Sequence, residues 1–166
     1  MTGAGEAAQD VAGELQLDAY LPYRLSVASN AVSGLIARAY EDRFGLSVPQ
    51  WRLVCVLAED GGRTQRGIVA RTGMDKVTVS RAARGLTARR LIGRTANKAD
   101  GRSHVLALTA EGRALHAQIA PLALAYEAAL IAGLAPGEVA QMKRLLMRLQ
   151  AAADALAGGQ TPTVRI

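Results

Sequence analysis

The chain has 166 residues, of which 50% are hydrophobic and only 4% aromatic, so it can bury one core built mainly from Leu, Val, Ile and Ala. No stretch approaches the roughly 20 uninterrupted apolar residues of a membrane span, and the acidic, Ala- and Gly-rich residues 1–18 lack the pattern of a secretory signal. A single cysteine, Cys55, excludes a framework of intrachain disulfides and suits a reducing compartment. We therefore expect a cytoplasmic protein that does not interact with membranes.

The net charge of +6 is concentrated in one part of the chain. Residues 63–102 contain eleven of the twenty Lys and Arg residues but only two acids, Asp75 and Asp100, whereas the rest of the chain is net negative. A solvated charged surface would balance its basic residues with nearby acids. The asymmetry therefore indicates a module that binds a polyanion.

Helical periodicity dominates the first part of the chain. Residues 1–17 are predicted to form a flexible N-terminal arm. Apolar residues then recur at helical spacing over residues 18–44, and Gly45 ends this first helix. Residues 47–50, Ser-Val-Pro-Gln, have the sequence of a capping box with proline in the first turn, which predicts a second helix.

Two short helices follow, over about residues 64–72 and 75–89, and the break at Gly73 between them predicts a helix-turn-helix. At 100° per residue, one side of the second helix carries the apolar positions Val79, Ala82, Ala83 and Leu86. The opposite face carries small residues, hydroxyls and two arginines with almost no acid, which favours insertion into the major groove of DNA over an ordinary solvent-exposed face. From this helix we expect DNA to be contacted by Lys76, Thr78, Ser80, Arg81 and Arg84.

A change of periodicity marks the next element. Residues 91–95 and 104–109 have the pattern of short strands around a turn-rich loop, which predicts a β-hairpin. Arg94 on the first strand and Lys98 and Arg102 in the loop can reach phosphates or a minor groove. We expect Asp100 to hold the Arg102 guanidinium through a charge-assisted hydrogen bond. A plain surface hairpin is the alternative interpretation.

The last third of the chain is predicted to form two helices. Thr109 caps the first, which reaches about Ala132 with a bend at Pro121, and Pro136 begins the second. The apolar positions of the second helix alternate in steps of three and four, a spacing suited to packing on another helix: Val139, Met142, Leu146, Leu149, Ala153 and Leu156. Residues 158–166 are predicted to form a flexible tail.

Residues 100–112, Asp-Gly-Arg-Ser-His-Val-Leu-Ala-Leu-Thr-Ala-Glu-Gly, resemble the wing signature of the multiple-antibiotic-resistance-regulator (MarR) family, an Asp-x-Arg followed by Leu-Thr-x-x-Gly. Residues 78–81 and 86–94 are similar to the recognition helix and first wing strand of that family, and residues 45–51 are similar to the entry of its second helix. Arg90 departs from the pattern, because the family usually has glycine just after the recognition helix.

The resemblance covers about residues 21–156 and implies a mainly α fold. It implies a winged helix-turn-helix DNA-binding domain at residues 47–109, with a small β-hairpin wing, and a helical dimerisation region at residues 18–46 and 110–157. It also implies a homodimer that binds a near-palindromic operator in double-stranded DNA, usually as a repressor. Such regulators are commonly released from DNA by a small ligand, often aromatic or phenolic.

The first helix suggests where such an effector binds. Ser29 and Arg43 lie on its apolar side, where a hydroxyl and a guanidinium can orient an anionic ligand. Arg24, Trp51 and His116 are further candidates. Alternatively, Ser29 bonds to its own helix, Arg43 pairs across a dimer and Trp51 belongs to the core.

Other functions find less support in the sequence. Cys55 lies in the apolar run Leu-Val-Cys-Val-Leu, which favours a buried structural thiol over an oxidant sensor. A redox-sensing regulator and a winged-helix protein-interaction module without specific DNA binding stay as alternatives. We expect no enzyme activity, catalytic residue, metal or cofactor, because His104 and His116 have no acid or cysteine at metal-ligand spacing and no nucleophile sits beside a base in the chain.

Overall fold

The computed structural model describes residues 15–97 and 100–159, which form six helices and three short strands. The predicted arm and tail lie mostly outside the described residues, and Lys98 lies outside them too. In chain order the elements are α1 (Leu21–Phe44), α2 (Val48–Asp60), β1 (Arg63–Thr64), α3 (Gln65–Thr72), α4 (Lys76–Ala88), β2 (Ile92–Ala96), β3 (His104–Leu108), α5 (Ala110–Ile131) and α6 (Pro136–Ala157). The mainly α fold with a helix-turn-helix and a β-hairpin wing is therefore confirmed.

The chain divides into two compact units, Met1–His116 and Ala117–Ile166. The first unit contains α1 to α4, the sheet and the first turns of α5, so α1 belongs to the same compact unit as the winged helix. The sheet is antiparallel with the strand order β1-β3-β2, and Ile92 pairs with Leu108 in its register. The sequence did not predict β1, which pairs Arg63 with Leu106.

The helix-turn-helix packs its apolar side inward as the sequence predicts. Helix α4 contacts both α2 and α3, and its buried residues are Val79, Ala82, Ala83 and Leu86. At its amino end, the Asp75 side chain accepts the Thr78 backbone N–H at 2.8 Å, which satisfies one of the first-turn amides that a helix leaves unpaired.

At its carboxyl end, α4 finishes in a Schellman motif, in which Leu91 N–H donates to the Leu86 carbonyl and Arg90 N–H donates to the Thr87 carbonyl. This motif needs a left-handed residue, usually glycine, and here Arg90 adopts it with φ 58°. Arg90 thus keeps the helix-ending conformation although the residue is not glycine. The turn returns Leu91 to the core beside Leu86, and both side chains are buried.

The Leu-Thr-x-x-Gly segment joins the wing to this turn. The Thr109 hydroxyl donates to the Arg90 carbonyl at 2.8 Å and accepts the Gly112 N–H at 3.0 Å, so the same side chain caps α5 as predicted. A Cβ at residue 112 would overlap the Leu91 carbonyl oxygen. Glycine is therefore required here for close approach of two backbone segments.

The second unit contains the rest of α5 and α6. Pro121 lies inside α5, and none of the residues of α6 is buried. Its exposed large apolar residues include four of the six predicted positions, namely Met142, Leu146, Leu149 and Leu156. Among the described residues, α5 alone has the length and mean hydropathy of a membrane span, which the sequence analysis did not expect, but helices of soluble proteins also meet these two criteria.

Replacing Arg90 by glycine is expected to stabilise the fold. The left-handed conformation costs a residue with a Cβ about 1–2 kcal/mol, and the greater freedom of glycine in the unfolded chain offsets about 0.5–1 kcal/mol of that gain. The free energy of unfolding of Arg90→Gly, measured by urea denaturation, should therefore exceed that of Arg90→Ala by roughly 0.5–1 kcal/mol. Arg90→Ala is the matched control, because it removes the same side chain and keeps the Cβ. Equal stability of the two variants would contradict a strained turn.

Candidate nucleic-acid interface

The exposed face of α4 carries positive charge. Arg81 and Arg84 are exposed, and Ser80 is half-buried beside them. Neither arginine belongs to any of the four ion pairs found among the described residues. Val77, one turn earlier, exposes 63% of its surface although it is apolar. Small, apolar and guanidinium groups on one helix face match the donors and methyl contacts that read base edges in a major groove.

The amino end of α4 is fixed by two hydrogen bonds that Thr78 donates to the Asp75 carboxylate. The Thr78 hydroxyl donates to the second oxygen of Asp75 at 2.6 Å, besides the backbone bond that caps the helix. This hydroxyl bond, followed by the bond from the Thr78 backbone, lowers the pKa of Asp75 below its usual value. The Thr78 hydroxyl hydrogen is therefore used within the protein, and its oxygen can still accept a bond from outside.

The wing loop is held by its own hydrogen bonds. Asn97 donates from its side chain to the Ser103 hydroxyl at 2.8 Å and from its backbone to the Ser103 carbonyl at 3.1 Å. Asp100 accepts the backbone N–H of Arg102 at 3.0 Å, and no ion pair joins the two side chains, both of which are described. The expected bond to the guanidinium is therefore wrong. An aspartate in a tight turn bonds most easily to the backbone two residues on, which leaves the Arg102 side chain free to project.

Four cationic side chains converge on one cleft of about 480 Å³ between the wing, the start of α3 and the start of α4. They are Arg66, Lys76, Arg94 and Arg102. Among the described residues, Asp100 is the one acid that lines it, and Thr64 and Gln65 add uncharged polar groups. The sequence predicted three of these cations as DNA contacts. It missed Arg66, whose place in the basic segment 63–102 was the available signal.

The predicted effector residues do not form one cluster. His116 stacks on Trp51, with ring centroids 5.6 Å apart, and Trp51 in turn packs against Tyr40 at 5.3 Å. The Arg24 guanidinium instead lies 3.9 Å from the Asp18 carboxylate. The Arg43 guanidinium lies over the Phe44 ring, and Ser29 is exposed.

A cavity of about 290 Å³ lies beside the ring stack. It is lined by Leu57, Ala58, Gly61, Leu108, Arg113 and His116. Arg113 donates to the Leu108 carbonyl at 2.8 Å, which holds its guanidinium at the cavity wall. Arg113 is not among the predicted site residues, because nothing in the local sequence pattern separates it from other helix-surface arginines.

Cys55 is poorly suited to redox chemistry. Burial, assisted by the nearby Glu59 carboxylate, raises the pKa of its thiol to about 12. The thiolate is the reactive form, and at pH 7 it makes up only about one part in 10⁵ of such a thiol. Among the described residues, no three His, Cys, Asp or Glu side chains are grouped to hold a metal ion.

Comparison with known proteins finds a family match for part of the chain. Residues 44–103, which contain α2, the helix-turn-helix and most of the wing, match the MarR family. No curated protein matches the chain.

Several solved structures have the same fold. A MarR/EmrR family transcriptional regulator from Acinetobacter sp. ADP1 superposes with a TM-score of 0.79 at 24% identity, over 85% of this chain and 99% of that one. A probable transcriptional regulator from Pseudomonas aeruginosa is 29% identical, with a TM-score of 0.71 over 81% and 99% of the two chains. BpsR of Bordetella bronchiseptica, whose DNA binding is regulated by 6-hydroxynicotinic acid, is 24% identical, with a TM-score of 0.73 over 84% and 99%. The chain thus has the fold of these transcriptional regulators over most of its length.

The raised pKa of Cys55 predicts that its thiol reacts slowly with disulfides. With a disulfide reagent at pH 7, native protein should react about 100-fold more slowly than the same protein unfolded in urea, because the fall in thiolate outweighs the greater nucleophilicity of a more basic thiol. The rate is measured from the absorbance of the released thiol. Reaction of the native protein within a few-fold of the unfolded rate would restore the redox-sensor alternative.

Proposed function

We propose that this protein is a DNA-binding transcriptional regulator that acts as a repressor at a near-palindromic operator. The observation that carries the proposal is the convergence of four cations on one cleft next to a helix face with two unpaired arginines. In this proposal α4 enters the major groove, where Arg81 and Arg84 meet guanine edges. The wing follows the adjacent backbone and minor groove through Arg94, Arg102 and Lys98.

The regulator acts as a homodimer in this proposal, through residues 18–46 and 110–157. Support comes from the apolar residues that a single chain leaves uncovered, because monomeric proteins rarely expose so many. On α1 these residues include Leu21, Leu25 and Val32, and on α6 they include Met142, Leu146, Leu149 and Leu156. Two recognition helices about 34 Å apart would meet successive major grooves on one side of a duplex. A regulator of this kind acts in the cytoplasm.

A small aromatic acid is proposed to release the protein from DNA. The cavity beside His116 offers a guanidinium for a carboxylate and an apolar wall from Leu57 and Leu108. The regulation of BpsR by 6-hydroxynicotinic acid supports this ligand class. Arg24, Ser29 and Arg43 stay as predicted effector contacts.

DNA binding is tested by selecting preferred duplexes from a random library and comparing variants on the selected and scrambled sequences. Arg84→Ala should lose roughly 5- to 100-fold in affinity for the selected duplex and little for the scrambled one, because it removes a base contact. Arg94→Ala should weaken both duplexes similarly and reduce the slope of log affinity against log salt by about 1, because it removes a phosphate contact.

Arg52→Ala is the matched control, since it removes an exposed positive charge from α2, outside the cleft. Failure to enrich any sequence, together with a salt slope near zero, would favour the protein-interaction module. Equal effects of Arg84→Ala and Arg94→Ala on both duplexes would contradict the division of roles.

Effector binding is tested by thermal shift with benzoate, salicylate and 6-hydroxynicotinate. A probe that binds the folded protein but not the unfolded chain raises its Tm, because it stabilises the fold by RT ln(1 + c/Kd) at a free probe concentration c. Arg113→Gln and His116→Phe should each need at least about 10-fold more probe to give the same rise in Tm. The first variant removes a charge-assisted bond, and the second removes the ring nitrogens. Cys55→Ser should keep the full shift. Unchanged responses of the first two variants would place the ligand elsewhere.

A further inference from the structure

The carboxyl end of α1 is closed by a side chain from a distant part of the chain. Gly45 ends the helix in the left-handed conformation, and its N–H donates to the Glu41 carbonyl at 2.9 Å. The carbonyls of Phe44 and Gly45 accept the two terminal nitrogens of Arg89, at 2.9 Å and 2.6 Å. Phe44 and Gly45 precede Arg89 by 45 and 44 residues in the sequence.

Arg89 is suited to this place by charge and by geometry. A helix carries partial negative charge at its carboxyl end, so a cation is favoured there. The planar guanidinium presents two parallel N–H groups, which fit two neighbouring carbonyls better than one ammonium does. Arg89 is also the C-cap of α4, so one residue closes the ends of two helices.

A second contact fixes the same corner against α4. A Cβ at Gly85 would lie 2.5 Å from Nε2 of Gln50, so the first turn of α2 approaches the backbone of α4 closely. The other amide atom of Gln50 accepts the Ser47 N–H at 3.0 Å, which ties it to the start of α2. The junction of α1 and α2 is thereby held against the last turns of α4.

We propose that Arg89 is a positioning residue for the recognition helix. Its two bonds set where α4 lies relative to the end of α1, and so set how Arg81 and Arg84 face DNA. Its own donors are directed to protein carbonyls, which distinguishes it from the cations of the cleft. The proposal rests on the proposed function for its effect on DNA, and it also predicts a change in the free protein.

The test in solution uses Arg89→Ala, Arg89→Lys and the neighbouring control Arg90→Ala. For the selected duplex, Arg89→Ala should bind about 10-fold more weakly, because two charge-assisted bonds are lost. Its salt slope should stay unchanged, because no phosphate contact is removed. Arg89→Lys should recover part of the affinity, and Arg90→Ala should bind nearly as well as the parent protein. A salt slope reduced by about 1, with equal loss on scrambled DNA, would make Arg89 a phosphate contact and overturn the proposal.

Hydrogen exchange of the free protein separates this proposal from the proposed function. In Arg89→Ala the amides of the last turn of α4 and of Gly45 and Leu46 should exchange about 10-fold faster, whether or not the protein binds DNA. In Arg90→Ala the amides of residues 45–46 should keep their protection. Unchanged exchange in Arg89→Ala overturns the positioning role even if DNA binding is established. Faster exchange in a protein that binds no DNA keeps the structural link and refutes only the proposed function.

Discussion

The turn that ends α4 determines where its neighbours lie. Backbone groups at a helix end must find partners, and here the partners come both from the turn itself and from distant elements. The left-handed Arg90 sends Leu91 back to the core, Thr109 binds the Arg90 carbonyl, and Arg89 binds the end of α1. The wing, the start of α5 and the end of α1 are therefore positioned relative to α4 through three consecutive residues, Arg89, Arg90 and Leu91. The basic character of the segment does not explain this arrangement, whereas backbone hydrogen bonding does.

The same turn lies at one end of a continuous set of contacts in the first unit. His116 lines the cavity and stacks on Trp51, which packs against Tyr40. The Tyr40 carbonyl accepts the Leu46 N–H, next to the carbonyl of Gly45 that Arg89 holds. Packed chains of this kind carry coupling only when they have two discrete arrangements. The contacts from the cavity at His116 to the Gly45 carbonyl are contiguous, as coupling between the cavity and this turn would require.

Local rules predicted most of the fold and the composition of the exposed face of α4 that we propose to contact DNA. The inward face of α4 followed from helical periodicity, because the spacing of Val79, Ala82, Ala83 and Leu86 leaves one side to bury. Features that depend on distant partners were not predicted from the sequence. Strand β1 exists only through its pairing with β3, and Arg66 faces the cleft only because the wing lies opposite. Arg89 belongs with them, since its carbonyl partners lie about 45 residues earlier. Asp100 was assigned the wrong donor because a sequence does not reveal a turn geometry that favours the backbone.

Helix α6 has no buried residue within its own chain. In the proposed homodimer, the helix gains its apolar packing only on association, so the folded fraction depends on how much protein is present. Chains made at a low rate would spend more time as unassembled monomers, and proteases would degrade them in that state. The supply of competent regulator would then fall more steeply than its rate of synthesis, which sharpens any control exerted over its own production.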